Sequence, residues 1–233
     1  MIPLRFESSA GASLAHWTLH WLDATGDLSA WRDRITLQIN DAYRAMKPYV
    51  KPTSMDILIE RGNEAVTPET GMRTEIARPN LATFVFDPYN ENFSETLKSG
   101  LISRQMVNTS HRAMRAAGPG YGFTLGGAMV SEGLAAQFVR LVCDSQAEPW
   151  DCVLSDDELG AYWPDQRTLM NTKFDHGEWF SGAGDKPKWL GHTIGTKIVE
   201  NWLLSGVALS PERLISVPAP KVLNAVPPQA MVS

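Results

Sequence analysis

Apolar and polar residues alternate strictly through LAHWTLHWL, residues 14–22. Trp17, Leu19 and Trp21 fall on one side and His16, Thr18 and His20 on the other, which is the period of a strand. The ATGD that follows is turn chemistry. Ser29 predicts an N-cap, beyond which Ile35, Ile39, Ala42, Tyr43 and Met46 recur at helical spacing. After Pro52, MDILIE (55–60) reads as a strand and LATFVF (81–86) as another, and the turn-rich segment between them has room for a short edge strand. The segment NENFSETLKSGLISRQMVNTSHRAMRAAG then predicts a helix. A capping box of Asn92 and Glu95 opens it, and it runs to Ala117, where Gly118-Pro119-Gly120 stops it.

Helices dominate from there. One is predicted from about Thr124 to Asp144, and another opens at a capping box of Ser155 and Glu158 and is interrupted by Pro164. The loop containing FDHGEWFSGAGDKPKW leads into a helix over 190–205, and Ser210-Pro211-Glu212 starts a last short one. This order predicts a single α+β domain over residues 1–233. Its small mixed sheet and accompanying helices occupy about 1–90, a mainly helical part about 91–216, and a loosely held Pro/Ala-rich tail 217–233.

The helix after Thr124 holds an anomaly. Leu125, Met129, Ala136 and Val139 make an apolar stripe, and Glu132 stands in it. An ionised carboxylate in a core needs a cation, donors or a proton, since leaving it unpaired costs several kcal/mol. On the preceding helix Leu97, Leu101, Gln105, Asn108 and Arg112 lie along one side. A tight Gly-Pro-Gly turn folds the two helices towards one another and brings Asn108 and Arg112 near Glu132.

Composition narrows the function classes. The formal net charge is −5 and the basic residues are scattered singly, so nucleic-acid binding has no electrostatic support. No stretch approaches the roughly 18 to 20 apolar residues of a membrane span. The first residues, MIPLRFESSAGASLAHW, lack the basic and apolar regions of a secretory signal. With only two cysteines, Cys143 and Cys152, whose pairing the sequence leaves open, a cytoplasmic location is expected.

Quoted together, DPYNENFSETL, NTSHRAMR, GPGYGFTLGGAMVSEGLA, EPWDCVL and EWFSGAGDKPKWLGHTIG resemble the predicted zinc-dependent protease family, in register over about residues 53 to 206. The resemblance implies a zincin fold, in which a small sheet lies over an active-site helix and the next helix carries a glutamate ligand. The active-site helix of such proteins carries H-E-x-x-H: two histidines one turn apart bind zinc and the glutamate activates the zinc-bound water. Laid onto this chain, Arg115 matches the arginine that closes the motif. Asn108 then stands for the first histidine, Thr109 for the general base and Arg112 for the second histidine, in the run Asn108-Thr109-Ser110-His111-Arg112. Glu132 of SEGLA is the one ligand position retained.

Asn is a poor lone zinc ligand, Thr is no base near neutral pH, and Arg is permanently cationic. The resemblance therefore implies a pseudoenzyme with no catalytic residue and no cofactor, whose cleft (Arg112, Glu132, His111, Arg115, Tyr121, His192) serves peptide or protein binding or regulation. A bidentate Arg112–Glu132 bridge is expected in the old metal pocket. An active metallopeptidase using zinc on non-standard ligands, with His176 and His192 beside Glu132, is the alternative. A structural or oligomerising protein with an unused cleft is a third reading.

Other chemistries fall away. His111 has no partner ligand one turn before or after it, and on a strand His16 and His20 stand ~13 Å apart, too far to share an ion. GPGYG lacks the lysine of a P-loop, and Ser131 lies inside a helix and not on a nucleophile elbow. Asp156 and Asp157 open a helix, where acidic residues favour the dipole. The tryptophans Trp150, Trp163, Trp179, Trp189 and Trp202 are expected in the core, although some could line a peptide groove.

Overall fold

The computed structural model describes residues 16–225. Strands β1 (Trp17–Leu22), β2 (Met55–Arg61), β3 (Met72–Arg78) and β4 (Leu81–Phe86) form one mixed sheet in the order β1-β2-β4-β3. β1 and β4 run parallel to β2, and β3 runs antiparallel to β4. Parallel β1 and β2 need a crossover, which helix α1 (Arg32–Met46) supplies. The alternation in β1 sends Trp17 into the core and leaves His20 at the surface, where it meets Asp56 at 2.8 Å. His16 bonds Ser54 instead, so the two histidines serve separate partners. Residues 14 and 15 of the expected strand, and the N-terminal stretch before them, lie outside the described residues.

Helix α1 buries Ile35, Ile39, Ala42 and Met46 as the spacing predicts, but Ser29 does not cap it. The Ser29 N–H and hydroxyl both bond Asp27, and the chain makes another turn before the helix begins. The helix expected from Asn92 to Ala117 is two, α2 (Phe93–Lys98) and α3 (Leu101–Ala116). Gly100 adopts φ +76° between them, a left-handed conformation that breaks the helix and that glycine takes without steric cost. The Asn92 side chain makes no cap; its amide donates to the carbonyl of Pro68, in the segment leading to β3.

Helix α4 (Leu125–Cys143) sits at the centre of the helical half, with every residue from Leu125 to Val139 buried. It packs on α3 and, most extensively, on α8 (Leu190–Leu204). Gly133 and Gly195 make that crossing: a Cβ on Gly133 would run into the carbonyl of Gly195, and one on Gly195 into the carbonyl of Met129. The glycine of SEGLA therefore lets two backbones touch, and it draws the start of α8 towards Glu132.

The smaller helices α5 (Asp156–Tyr162), α6 (Gln166–Leu169), α7 (His176–Phe180) and α9 (Pro211–Ser216) close the periphery. α5 has the reciprocal capping box of Ser155 and Glu158 and ends before Pro164. Beyond Ser216 the chain is not loose as far as it is described. It forms α10 (Ala219–Ala225), whose Val222 is fully buried, and α10 packs on α4 and α8. Residues 226–233 of the expected tail lie outside the described residues. Cys143 and Cys152 are both free thiols. No helix among the described residues is long and apolar enough to cross a membrane.

Candidate functional site

Glu132 projects from the middle of α4 with only 5% of its side chain exposed. The turn before α4 is built to meet it. Gly122, at φ +103°, packs its backbone on that of Gly127 so closely that a Cβ would lie 2.7 Å from the Gly127 carbonyl carbon. Thr124 caps α4 by accepting the Gly127 N–H, and the Ser131 hydroxyl donates to the Tyr121 carbonyl at 2.6 Å. The Tyr121 hydroxyl is thereby held at Glu132, donating to Oε1 at 2.7 Å. PGYG-x-TL and SEGLA are thus one device, in which Ser131 fixes the backbone of Tyr121 and Glu132 receives its side chain.

Three further groups converge on this pair. Arg112 Nη2 on α3 lies 3.8 Å from Glu132 Oε1, with its guanidinium over the Tyr121 ring at 5.3 Å. His192 Nδ1, at the start of α8, lies 3.7 Å from Oε2. His176 Nε2, at the start of α7, lies 3.1 Å from the Tyr121 hydroxyl oxygen, and its ring stacks on Phe180. The expected bidentate Arg112–Glu132 bridge is replaced by a looser charge contact, because the tyrosine hydroxyl occupies the same carboxylate oxygen at hydrogen-bond distance.

Burial alone would raise the pKa of Glu132, but Arg112, then His192 and the Tyr121 hydrogen bond outweigh it and hold the carboxyl below its ordinary range. Glu132 in turn raises the Arg112 pKa. Burial, with the neighbouring carboxylate, pushes the Tyr121 phenol far up, so it stays a donor. Burial also lowers the pKa of His192, which leaves that ring neutral at pH 7.

Arg112 and Glu132 open on a cavity of about 370 Å³. Asn108 and Gln105 continue its α3 wall, one and two turns before Arg112. Met72, Arg73 and Thr74 of β3 line another side, and Trp150, Asp151, Trp189 and His192 a third. Apart from a single bridge between Thr67 and Met72, no strand pairs with the outer edge of β3 among the described residues. Asp151 is buried, and its carboxyl accepts the Glu148 N–H. Burial pushes its pKa up to about 7, helped by the carboxylates of Glu148 and Glu132 and opposed by that hydrogen bond.

The remaining sequence candidates lie elsewhere. His111 and Arg115 are on α3 but away from the cavity, both buried. The His111 ring bonds the Leu214 carbonyl, and Arg115 donates to the carbonyls of Ile215 and Val217 at 2.9 Å, so the two clasp the C-terminal end of α9. Thr109 and Ser110 are buried and do not line the cavity. Sequence reasoning missed the Tyr121–Glu132 bond and Asp151. It left Trp150 and Trp189 mainly to the core, although they meet edge to face at 6.0 Å and line the cavity.

Zinc does not fit this donor set. The α3 side chain paired with Glu132 is a fixed cation, and among the described residues no three His, Cys, Asp or Glu side chains are arranged to hold a metal ion.

Among known proteins, the model of a family described as predicted Zn-dependent protease matches residues 35–224. No curated protein and no solved structure matches the chain. With most of its length covered by that match, from α1 through α10, the chain belongs to the predicted zinc-dependent protease family.

Proposed function

We propose that this chain is a catalytically inactive member of its family and that its cleft binds peptide or protein segments. The observation that carries the reading is the Arg112 guanidinium set 3.8 Å from Glu132. In the register of the family motif, Asn108, Thr109 and Arg112 stand where the two histidines and the general base belong. Arg112 then supplies a built-in positive charge where a metal would be. A zinc ion at Glu132 would meet that charge head on, and neither Asn108 nor Thr109 offers the imidazole or base that water activation needs.

The cavity favours binding over a purely structural role. Its volume of about 370 Å³ falls in the range of ligand sites, roughly 300 to 1,000 Å³. An edge strand beside it suits an extended segment, which can add its backbone to a free sheet edge. Trp150 and Trp189 add aromatic surface.

The test is a gain of function. The double variant Asn108→His/Arg112→His places two imidazoles one turn apart on α3, facing Glu132. It is expected to take up about one zinc per chain, read by elemental analysis after desalting, with the fold checked by circular dichroism. A folded double variant that binds no zinc contradicts the register on which the reading rests.

A metallopeptidase with non-standard ligands has one observation in its favour, the convergence of Glu132, His192 and His176 around Tyr121. It requires Arg112 to leave. Zinc bound by the unaltered chain and lost on His192→Ala would support it.

A further inference from the structure

Arg112 donates no hydrogen bond to any described residue, and its Nε is buried without a partner. The other two arginines of α3 differ. Arg104 is held by Glu148 and donates to the Ser99 carbonyl at 2.7 Å, and Arg115 is held by backbone carbonyls. The carboxylate paired with Arg112, Glu132 Oε1, is at 3.8 Å, near enough to match charge and too far for a hydrogen bond. A guanidinium carries five N–H donors in a rigid fork, and leaving desolvated donors of a charged group unpaired is costly. With 31% of its side chain exposed, Arg112 lines the cavity.

The wall around it has the same character. Gln105, Asn108 and Arg112 follow one another at i, i+3 and i+7 on α3, and all three line the cavity. No side-chain hydrogen bond ties Gln105 or Asn108 to another described residue, whereas Gln38, on α1 against α3, donates to the Leu97 carbonyl at 2.8 Å. Two carboxylates share the cavity. Glu132 has its charge matched by Arg112, and Asp151, pushed up to about 7, carries a proton over the acid side of neutrality. The Lys188 ammonium at the rim is taken by Glu69, at 2.7 and 2.8 Å.

We infer that the cleft recognises a carboxylate on its ligand, bound by the free edge of Arg112 with Asn108 and Gln105 as neighbouring donors. The inference rests on the peptide-binding reading above and names what the bound segment presents. A planar, singly charged carboxylate matches one guanidinium fork. A dianionic phosphate would meet Glu132 and Asp151 with Arg112 as its main offset, since the other two cations of the lining, Lys188 and Arg73, are already paired with Glu69 and Glu75. The carboxylate comes from a chain terminus or from an Asp or Glu side chain, and Trp150 and Trp189 supply apolar surface for the rest of the segment.

The test uses the full chain and three hexapeptide pools in an affinity-selection assay read by mass spectrometry. One pool has free C-termini and no acidic residues. A second is acetylated and amidated with Asp and Glu present. The third is acetylated and amidated with Asn and Gln in their place. Retention of the first or second pool about tenfold above the third, lost in Arg112→Gln, is expected; tenfold is about 1.4 kcal/mol. The pool retained identifies the source of the carboxylate. Should Arg112→Gln fail to fold, Gln105→Ala/Asn108→Ala, which leaves Arg112 and Glu132 together, is expected to lower the same preference about threefold. Equal retention of all three pools overturns the carboxylate inference and leaves the peptide-binding reading standing. Retention of none overturns both.

Discussion

Gly133 and Gly195 meet backbone to backbone where α4 crosses α8, and this contact fixes how near His192 comes to Glu132. A methyl group on either glycine falls on a backbone carbonyl, which cannot swing away as a side chain would. Gly195→Ala is therefore expected to cost more than about 3 kcal/mol, above the usual penalty for overpacking. Gly206→Ala is the contrasting control for added bulk, since nothing lies within 4 Å of its Cβ position, although its φ of +90° adds some backbone strain. Urea denaturation of the three proteins measures the difference, and an unfolding midpoint for Gly195→Ala equal to wild type would refute the close crossing.

Charge balance around Glu132 gives a second prediction. Arg112→Met leaves a carboxylate that is 5% exposed with only the Tyr121 hydroxyl and neutral imidazoles, and is expected to cost about 3 kcal/mol. Adding Glu132→Gln removes the stranded charge, so the double variant is expected to recover most of that loss. A double variant as unstable as the sum of the singles would show that Arg112 does not compensate Glu132.

His111 makes the fold sensitive to acid. Burial lowers its pKa from the ordinary 6.5 to about 3, despite the hydrogen bond to Leu214. Below pH 6.5 the unfolded chain takes up a proton that the folded chain refuses. The contribution is therefore fully present above 6.5 and is lost as pH falls from there towards 3. The slope approaches about 1.4 kcal/mol per pH unit, and the loss reaches as much as about 5 kcal/mol. His111→Gln, unable to protonate, is expected to flatten the stability profile between pH 6 and 4, which denaturant titrations at several pH values would detect.

The opposite sign holds for Asp151. Its pKa is raised from 3.8 to about 7, so the folded chain holds a proton that the unfolded chain releases. Its contribution is present below pH 3.8 and is lost as pH rises through 7. Asp151→Asn keeps an acceptor for the Glu148 N–H and removes the charge. It is expected to stabilise the protein at pH 8 by up to about 4 kcal/mol, with no gain at pH 4. An equal effect at both pH values would contradict the burial of an ionisable carboxyl at the cavity wall.

Much of this architecture is local in origin and therefore legible in the chain. Thr124 and Asp144 bracket α4 as expected, because a capping threonine and a residue able to turn left-handed flank a run of mostly small and apolar residues without proline. The strands β2 and β4 follow their β-branched and aromatic runs. What failed was settled at a distance. Asn92 has the sequence of a cap but spends its amide on Pro68, 24 residues away, and Ser29 is captured by Asp27. The break at Gly100 escapes notice because apolar spacing continues across it. Pro/Ala-rich composition hides α10, whose Val222 is buried where the helix packs on α4 and α8.

The site divides in the same way. Proximity of Arg112 to Glu132 follows from two helices joined by a tight turn and was readable from spacing. The approach of His176 to Tyr121 depends on an irregular loop between α6 and α7, for which no periodicity exists. The looseness of the Arg112–Glu132 contact depends on Ser131 holding the Tyr121 carbonyl, a bond that no motif announces.

Zinc stoichiometry of the unaltered chain tests the central claim most directly, by elemental analysis after incubation with excess zinc and desalting. With Arg112 beside Glu132, less than about a tenth of an equivalent is expected to remain, since the donor set lacks the three ligands a stable site requires. Close to one equivalent, lost on Glu132→Ala, would contradict the account and mark the cleft as a metal centre.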